Sequence, residues 1–174
     1  EGTENTAVGY NAGYSVTIGS SNTFLGRAAG LLLTEGASNV IIGIDAAEEM
    51  TTANSCVLIG GRAGFKNNGD DNVAVGFKAL YNNTTGTTNV AIGRDALFTN
   101  STGHWNVGIG WDALKVNTVS FNIGIGYNAG IAVTTGAENG LIGKSAGVLM
   151  DIGESNVFIG KEAGDNITSG SFNI

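Results

Sequence analysis

The sequence predicts an all-β chain, wound as a parallel β-solenoid (β-roll) of about ten coils of 16–17 residues each. Three observations lead there. An aliphatic residue followed by glycine closes one short motif ten times, at Gly9, Gly26, Gly43, Gly60, Gly76, Gly93, Gly110, Gly126, Gly143 and Gly160. The spacings run 17, 17, 17, 16, 17, 17, 16, 17 and 17 residues, so each unit is one layer of a stack. A second glycine marks most unit boundaries (Gly19, Gly36, Gly69, Gly86, Gly103, Gly136, Gly153 and Gly170). Two turn signals in so short a unit predict two strands per coil and leave no room for a helix.

Aligned on the glycine, the unit reads G-x-x-N-V-A-I-G-x-x-A-G/L, followed by about five variable residues. The first strand is apolar on both sides. The residue before each glycine is always aliphatic (Val8, Leu25, Ile42, Ile59, Val75, Ile92, Ile109, Ile125, Ile142, Ile159), and two positions earlier Val dominates. These columns share one side of a strand, and the expectation is that they fill the roll. The residue between them is never polar either: Ala7, Phe24, Ile41, Leu58, Ala74, Ala91, Gly108, Gly124, Leu141 and Phe158. A strand apolar on both faces is covered on both. A thin solenoid has one interior, so the middle column is expected to form an interface between copies of the chain.

Residue volumes follow a matching pattern. Where the middle residue is Phe24, Ile41, Leu58, Leu141 or Phe158, the residue six later is Gly30, Ala47, Gly64, Gly147 or Gly164. Where it is Ala74, Ala91 or Gly108, the later residue is Leu80, Leu97 or Leu114. Close packing needs constant volume per layer, so the two positions fill one space. Ala7/Gly13 and Gly124/Gly130 break the pattern.

The second half of the unit is more polar. Its column eight after the glycine is mostly Thr, interrupted by Asn68 and Asp151. The column before it passes from Val16, Leu33 and Met50 to Asn67, Asn83, Asn100 and Asn117, then to Val133, Met150 and Ile167. Stacked amides hydrogen-bond along a parallel coil, which makes this block structural. Ten coils at the strand spacing of ~4.8 Å give a rod of roughly 48 Å. Neither end carries a polar capping unit, so residues 1–174 read as one repeat domain within a longer fibre.

Composition narrows the function. A net charge of −7 disfavours nucleic acid, and no apolar run approaches the ~18 residues of a membrane span. Glycine is abundant (29) without the three-residue period of collagen. Cys56 is the only cysteine and stands where other units carry Asn, a small residue in a turn. His104 is the only histidine, which removes His-based metal clusters and triads; no catalytic residue, cofactor or metal is expected. The run Gly124 to Gly130 imitates a dinucleotide fingerprint, but its glycines belong to the repeat.

The N-V-A-I-G-x-x-A unit resembles the head repeat of trimeric autotransporter adhesins. Stretches such as Ala79 to Gly86 look still more like repeats of bacteriophage tail-fibre proteins. The resemblance covers the whole chain. It implies a left-handed roll, a homotrimer, and an extracellular place on a virion tail fibre or a bacterial surface. The expected role is structural or adhesive, host-receptor or surface attachment, without enzymatic activity. Alternatives are a self-assembling extracellular filament subunit, an ice-binding solenoid using the Thr column, and a polysaccharide-cleaving solenoid.

Three surface features remain. The column after each glycine reads Phe77, Arg94, Trp111, Tyr127, Lys144, Lys161 in consecutive coils, close enough for cation–π contact. With His104, Trp105 and Phe121 at a second corner, it is a candidate patch for a cell-surface glycan or protein receptor. The bland reading is that these rings cover the roll's edges or an interface. Asp45, Asp95, Asp112 and Glu162 form either a solvated corner or a cation site between copies. Asn82, Asn83, Asn100 and Asn166 fit the glycosylation sequon, as an Asn/Thr-rich repeat does by chance.

Overall fold

The computed structural model describes residues 2–174. It contains ten three-residue strands: β1 (Thr6–Val8), β2 (Thr23–Leu25), β3 (Val40–Ile42), β4 (Val57–Ile59), β5 (Val73–Val75), β6 (Val90–Ile92), β7 (Val107–Ile109), β8 (Ile123–Ile125), β9 (Gly140–Ile142) and β10 (Val157–Ile159). They form one parallel sheet in sequence order. Each pairing advances by one repeat, from Thr6 opposite Thr23 to Gly140 opposite Val157. About nine turns of chain therefore join the strands, with no helix among the described residues. The chain is an all-β parallel β-solenoid.

One strand per coil forms, not two. The second half of the unit still hydrogen-bonds coil to coil, as when Gly30 N–H donates to the Ala46 carbonyl (2.9 Å) and Thr34 N–H to that of Thr51 (2.9 Å). The backbone between strands, however, enters the left-handed region three times per coil, as at Arg62 (φ 57°), Gly64 (φ 57°) and Asp71 (φ 58°). Alternating hands bend the chain instead of extending it, so the ladder continues as turns.

The faces of the strand are exchanged relative to the sequence reading. Phe24, Ile41, Leu58, Ala74, Ala91, Leu141 and Phe158 lie in the core of a single chain, with Gly108 and Gly124 buried beside them. Only Ala7, in the first described coil, is exposed. The nine buried residues therefore cannot be the surface that meets another copy. The middle residue shares its side of the strand with the buried Asn two positions earlier, and the repeat's Ala closes the same interior. The Val and Ile columns face out instead, half-buried or exposed.

The volume pattern is real, and it operates inside the roll. A Cβ on Gly64 would lie 2.7 Å from Leu58, and one on Gly147 would lie 2.9 Å from Leu141. The two exceptions follow the same rule across neighbouring coils. Gly13 makes room for Phe24 of the next coil, and Gly124 for Leu114 of the previous one. Leu80, Leu97 and Leu114 hold φ of 48–52°, a strained conformation for a large side chain, to reach the space that small middle residues leave.

Two amide ladders line the polar end of the core. In the main one, Asn39 Nδ2 donates to Asn22 Oδ1 (2.9 Å) and to the Ala53 carbonyl (2.9 Å), and the same pattern returns at Asn89 and Asn139. Asn67, Asn83, Asn100 and Asn117 form the second: Asn83 Nδ2 donates to Asn67 Oδ1 (2.6 Å), and Asn100 Nδ2 to Asn83 Oδ1 (3.2 Å). Cross-links such as Asn72 Nδ2 to Asn67 Oδ1 (2.9 Å) join them. A buried amide is costly unless every group is paired, which these are.

Cys56 replaces one rung of the main ladder, so it sits in the core and not in a tolerant turn. Its N–H donates to Asn39 Oδ1 (2.9 Å), and its sulfur accepts from Asn67 Nδ2 (3.3 Å). Burial pushes the thiol up from 9.0 to about 11, only partly offset by bonds from Asn72 and Asn67. Between those values the folded chain keeps a proton that the unfolded chain loses, so stability falls as pH rises. Urea titrations from pH 9 to 11 are expected to show a loss approaching ~1.4 kcal/mol per pH unit beyond that of Cys56→Ser. A thiol reagent at pH 8 should label the wild type only after denaturation.

Candidate functional site

Each coil presents the same four positions outward. Reading across the strand, the exposed positions are the residue five before the closing glycine, the two aliphatic residues, and the residue after the glycine. In the coil of β7 these are Trp105, Val107, Ile109 and Trp111; in that of β8, Phe121, Ile123, Ile125 and Tyr127. Over the ten strands the two aliphatic columns depart from Val, Ile or Leu only at Thr6, Thr23 and Gly140. The result is a flat apolar face running the length of the rod, with side chains exposed by 38% at Ile92, 40% at Ile123 and 41% at Val157.

Both edges of this face carry the predicted patch residues. On one edge, the Arg94 guanidinium sits between the Phe77 ring (5.6 Å) and the Trp111 ring (5.1 Å). Trp111 meets Tyr127 edge-on at 6.2 Å. The structure thus joins Phe77, Arg94, Trp111 and Tyr127 in one column, about half exposed. On the other edge Trp105 stacks on Phe121 at 4.9 Å, with His104 tilted against it at 5.3 Å. The sheet separates the two groups. Trp105 and Phe121 adopt φ of 54° and 66°, conformations unusual for large side chains, which hold these rings out from the strand. His104 Nδ1 accepts the Thr87 N–H (3.0 Å), which ties the ring to the preceding coil.

A third aromatic column escaped the sequence reading. Phe65, Tyr81 and Phe98 stack at 4.8 and 5.2 Å with nearly parallel planes. The Lys78 amino group lies over Phe77 (5.3 Å), Tyr81 (5.7 Å) and Phe98 (5.9 Å) and bridges this column to the edge. All three rings stand five residues after a glycine, so the register alone would have found them. Their faces cover one another, which leaves little of them for a ligand.

The acidic corner is internally paired. Asp45 meets Arg27 (2.6 Å) and Arg62 (3.6 Å), Asp95 meets Arg94 (3.3 Å), Asp112 meets Lys115 (3.0 Å), and Glu162 meets Lys161 (3.5 Å). Desolvation, with the Asp45 charge nearby, raises the pKa of Glu48 behind it. Among the described residues no three His, Cys, Asp or Glu side chains converge as a metal site. The sequon residues Asn83 and Asn100 are buried in the ladder and out of reach of a modifying enzyme.

The Thr column donates its hydroxyls to the next coil, as from Thr34 Oγ1 to the Thr51 carbonyl (3.1 Å) and Thr118 Oγ1 to that of Thr134 (3.1 Å). Nearby, Val116, Ile131, Val148 and Leu149 line an open apolar hollow of about 680 Å³ on the turn side of the roll. No described helix is long and apolar enough to cross a membrane. No family model, curated protein or solved structure matches the chain.

Proposed function

We propose that this chain is a rigid, non-enzymatic segment of a homotrimeric extracellular fibre that serves surface attachment, as in a phage tail fibre or a bacterial trimeric adhesin. The observation that carries the reading is the outward Val/Ile face. A solvated strand alternates apolar with polar residues, whereas here the outward side is aliphatic in nearly every coil. The core already lies on the other side of each strand, so the outward columns belong to contacts between copies. This transfers the expected interface from the middle column to its flanks and keeps the physical argument for association. The stacked hydrogen bonds supply stiffness, which suits a spacer. The repeat's likeness to tail-fibre and adhesin units supplies the biological setting.

Sedimentation equilibrium at micromolar concentration tests the association. The expected mass is three times that of the 17.6 kDa chain. Ile92→Asp places a charge on the outward face, away from the core, and is expected to give a folded monomer by far-UV circular dichroism. A monodisperse wild-type monomer would overturn the reading. End-to-end polymers in negative stain would instead favour a filament subunit.

A further inference from the structure

In four coils the two edges of the outward face carry chemically matched groups. In the coil of β5 the leading edge carries Asp71 and the trailing edge Phe77, with the amino group of the following Lys78 over its ring (5.3 Å). In that of β7 the two edges carry Trp105 and Trp111, and in that of β8 Phe121 and Tyr127. In that of β9 they carry Glu138 and Lys144. Nowhere do the positions five before and one after a glycine bear like charges. All 8 Lys and Arg residues lie one to six positions after a strand-closing glycine, a stretch that also holds seven acidic residues, while the leading edge carries Glu4, Asp71 and Glu138 and no Lys or Arg. Lys78 and Lys144 form no ion pair with a described carboxylate of their own chain, and neither do Asp71 and Glu138.

The sheet separates the two edges, so these matched groups do not serve one another within one chain. We infer that copies of this chain meet edge to edge, parallel and in register. The Asp71, Trp105, Phe121 and Glu138 edge of one copy seats against the Lys78, Trp111, Tyr127 and Lys144 edge of the next. In a ring of parallel rods each coil lies level with the same coil of its neighbour, and leading edge meets trailing edge. Acid then faces base and ring faces ring in every one of these layers. Antiparallel rods at full overlap would bring leading edge to leading edge with the layers reversed, setting Asp71 opposite Thr88 and Glu138 opposite Ser21, so that no acid would meet a base. The aromatic rims thereby become a seam between copies, not a free sugar platform.

The inference rests on the homotrimer reading, and two measurements separate their fates. Both tryptophans of the chain lie in the β7 layer, so intrinsic fluorescence reports the seam directly. Dilution from micromolar concentration through dissociation is expected to red-shift the emission and raise acrylamide quenching several-fold. Asp71→Cys combined with Lys78→Cys is expected to oxidise to a covalent trimer on non-reducing gels, while each single variant stays uncross-linked. A trimer that fails to cross-link in the double variant, or that cross-links through Asp71→Cys alone, would overturn the seam and leave the trimer standing. A monomer at all concentrations would remove both. Tryptophan emission that does not change on assembly but shifts with an oligosaccharide would return the rims to a glycan site and also overturn the seam.

Discussion

Gly76→Ala is expected to lower stability by about 3–5 kcal/mol, the largest single effect we foresee outside the amide ladders. Gly76 closes β5 with φ of 135°, a region that only glycine enters freely. A Cβ there would lie 2.7 Å from the Gly93 carbonyl oxygen of the next coil. That neighbour is backbone, held by the Gly93 N–H bond to the Val75 carbonyl (2.8 Å), so it cannot turn aside. Strain and clash therefore add. Urea unfolding at fixed protein concentration, followed by far-UV circular dichroism, measures the loss. Alanine at Gly140, which meets nothing nearer than 4.0 Å, is the matched control and should change little.

That glycine is also why the period was legible. The close approach of successive coils admits no side chain, so the sequence must repeat Gly at this one position. The amide ladder was legible for a related reason, since a buried Asn needs an Asn above it to pair with. The faces were harder. Val40-Ile41-Ile42 is apolar throughout, and alternation cannot tell which side is the core when neither side is polar. The uniform Val and Ile columns suggested an interior, yet uniformity is what a flat outer face requires. The variable column, Phe24 to Ala74 to Gly108, was the true core, because residues whose volumes compensate within one chain must touch. The missing second strand was hidden as well. Left-handed residues such as Arg62, Lys78 and Leu97 carry no sequence sign of their φ, so the turns read as extended chain. The aromatic edges were visible in the register, but their matching became visible only once the strand's outward side was known.

The compensation predicts a paired exchange with a large coupling. Leu114 fills the space beside Gly124, where a Cβ would lie 2.6 Å from its Cγ. Leu114→Gly empties that space and is expected to cost about 2–5 kcal/mol, less what glycine regains by relaxing φ of 48°. Gly124→Leu with Leu114 in place overfills it and is expected to cost about 3 kcal/mol. The double variant Leu114→Gly/Gly124→Leu should approach wild-type stability, a coupling of at least about 2 kcal/mol. The reason lies one coil further on. With leucine at 124, the next small residue is Gly130, which reproduces the Leu58/Gly64 pairing already present in the roll. Additive losses in the double variant would show that the two positions do not share one space, and the internal packing rule would fall. Recovery would mean that coils of either type can be interchanged along the rod without altering its outward face, because both members of the pair are inside.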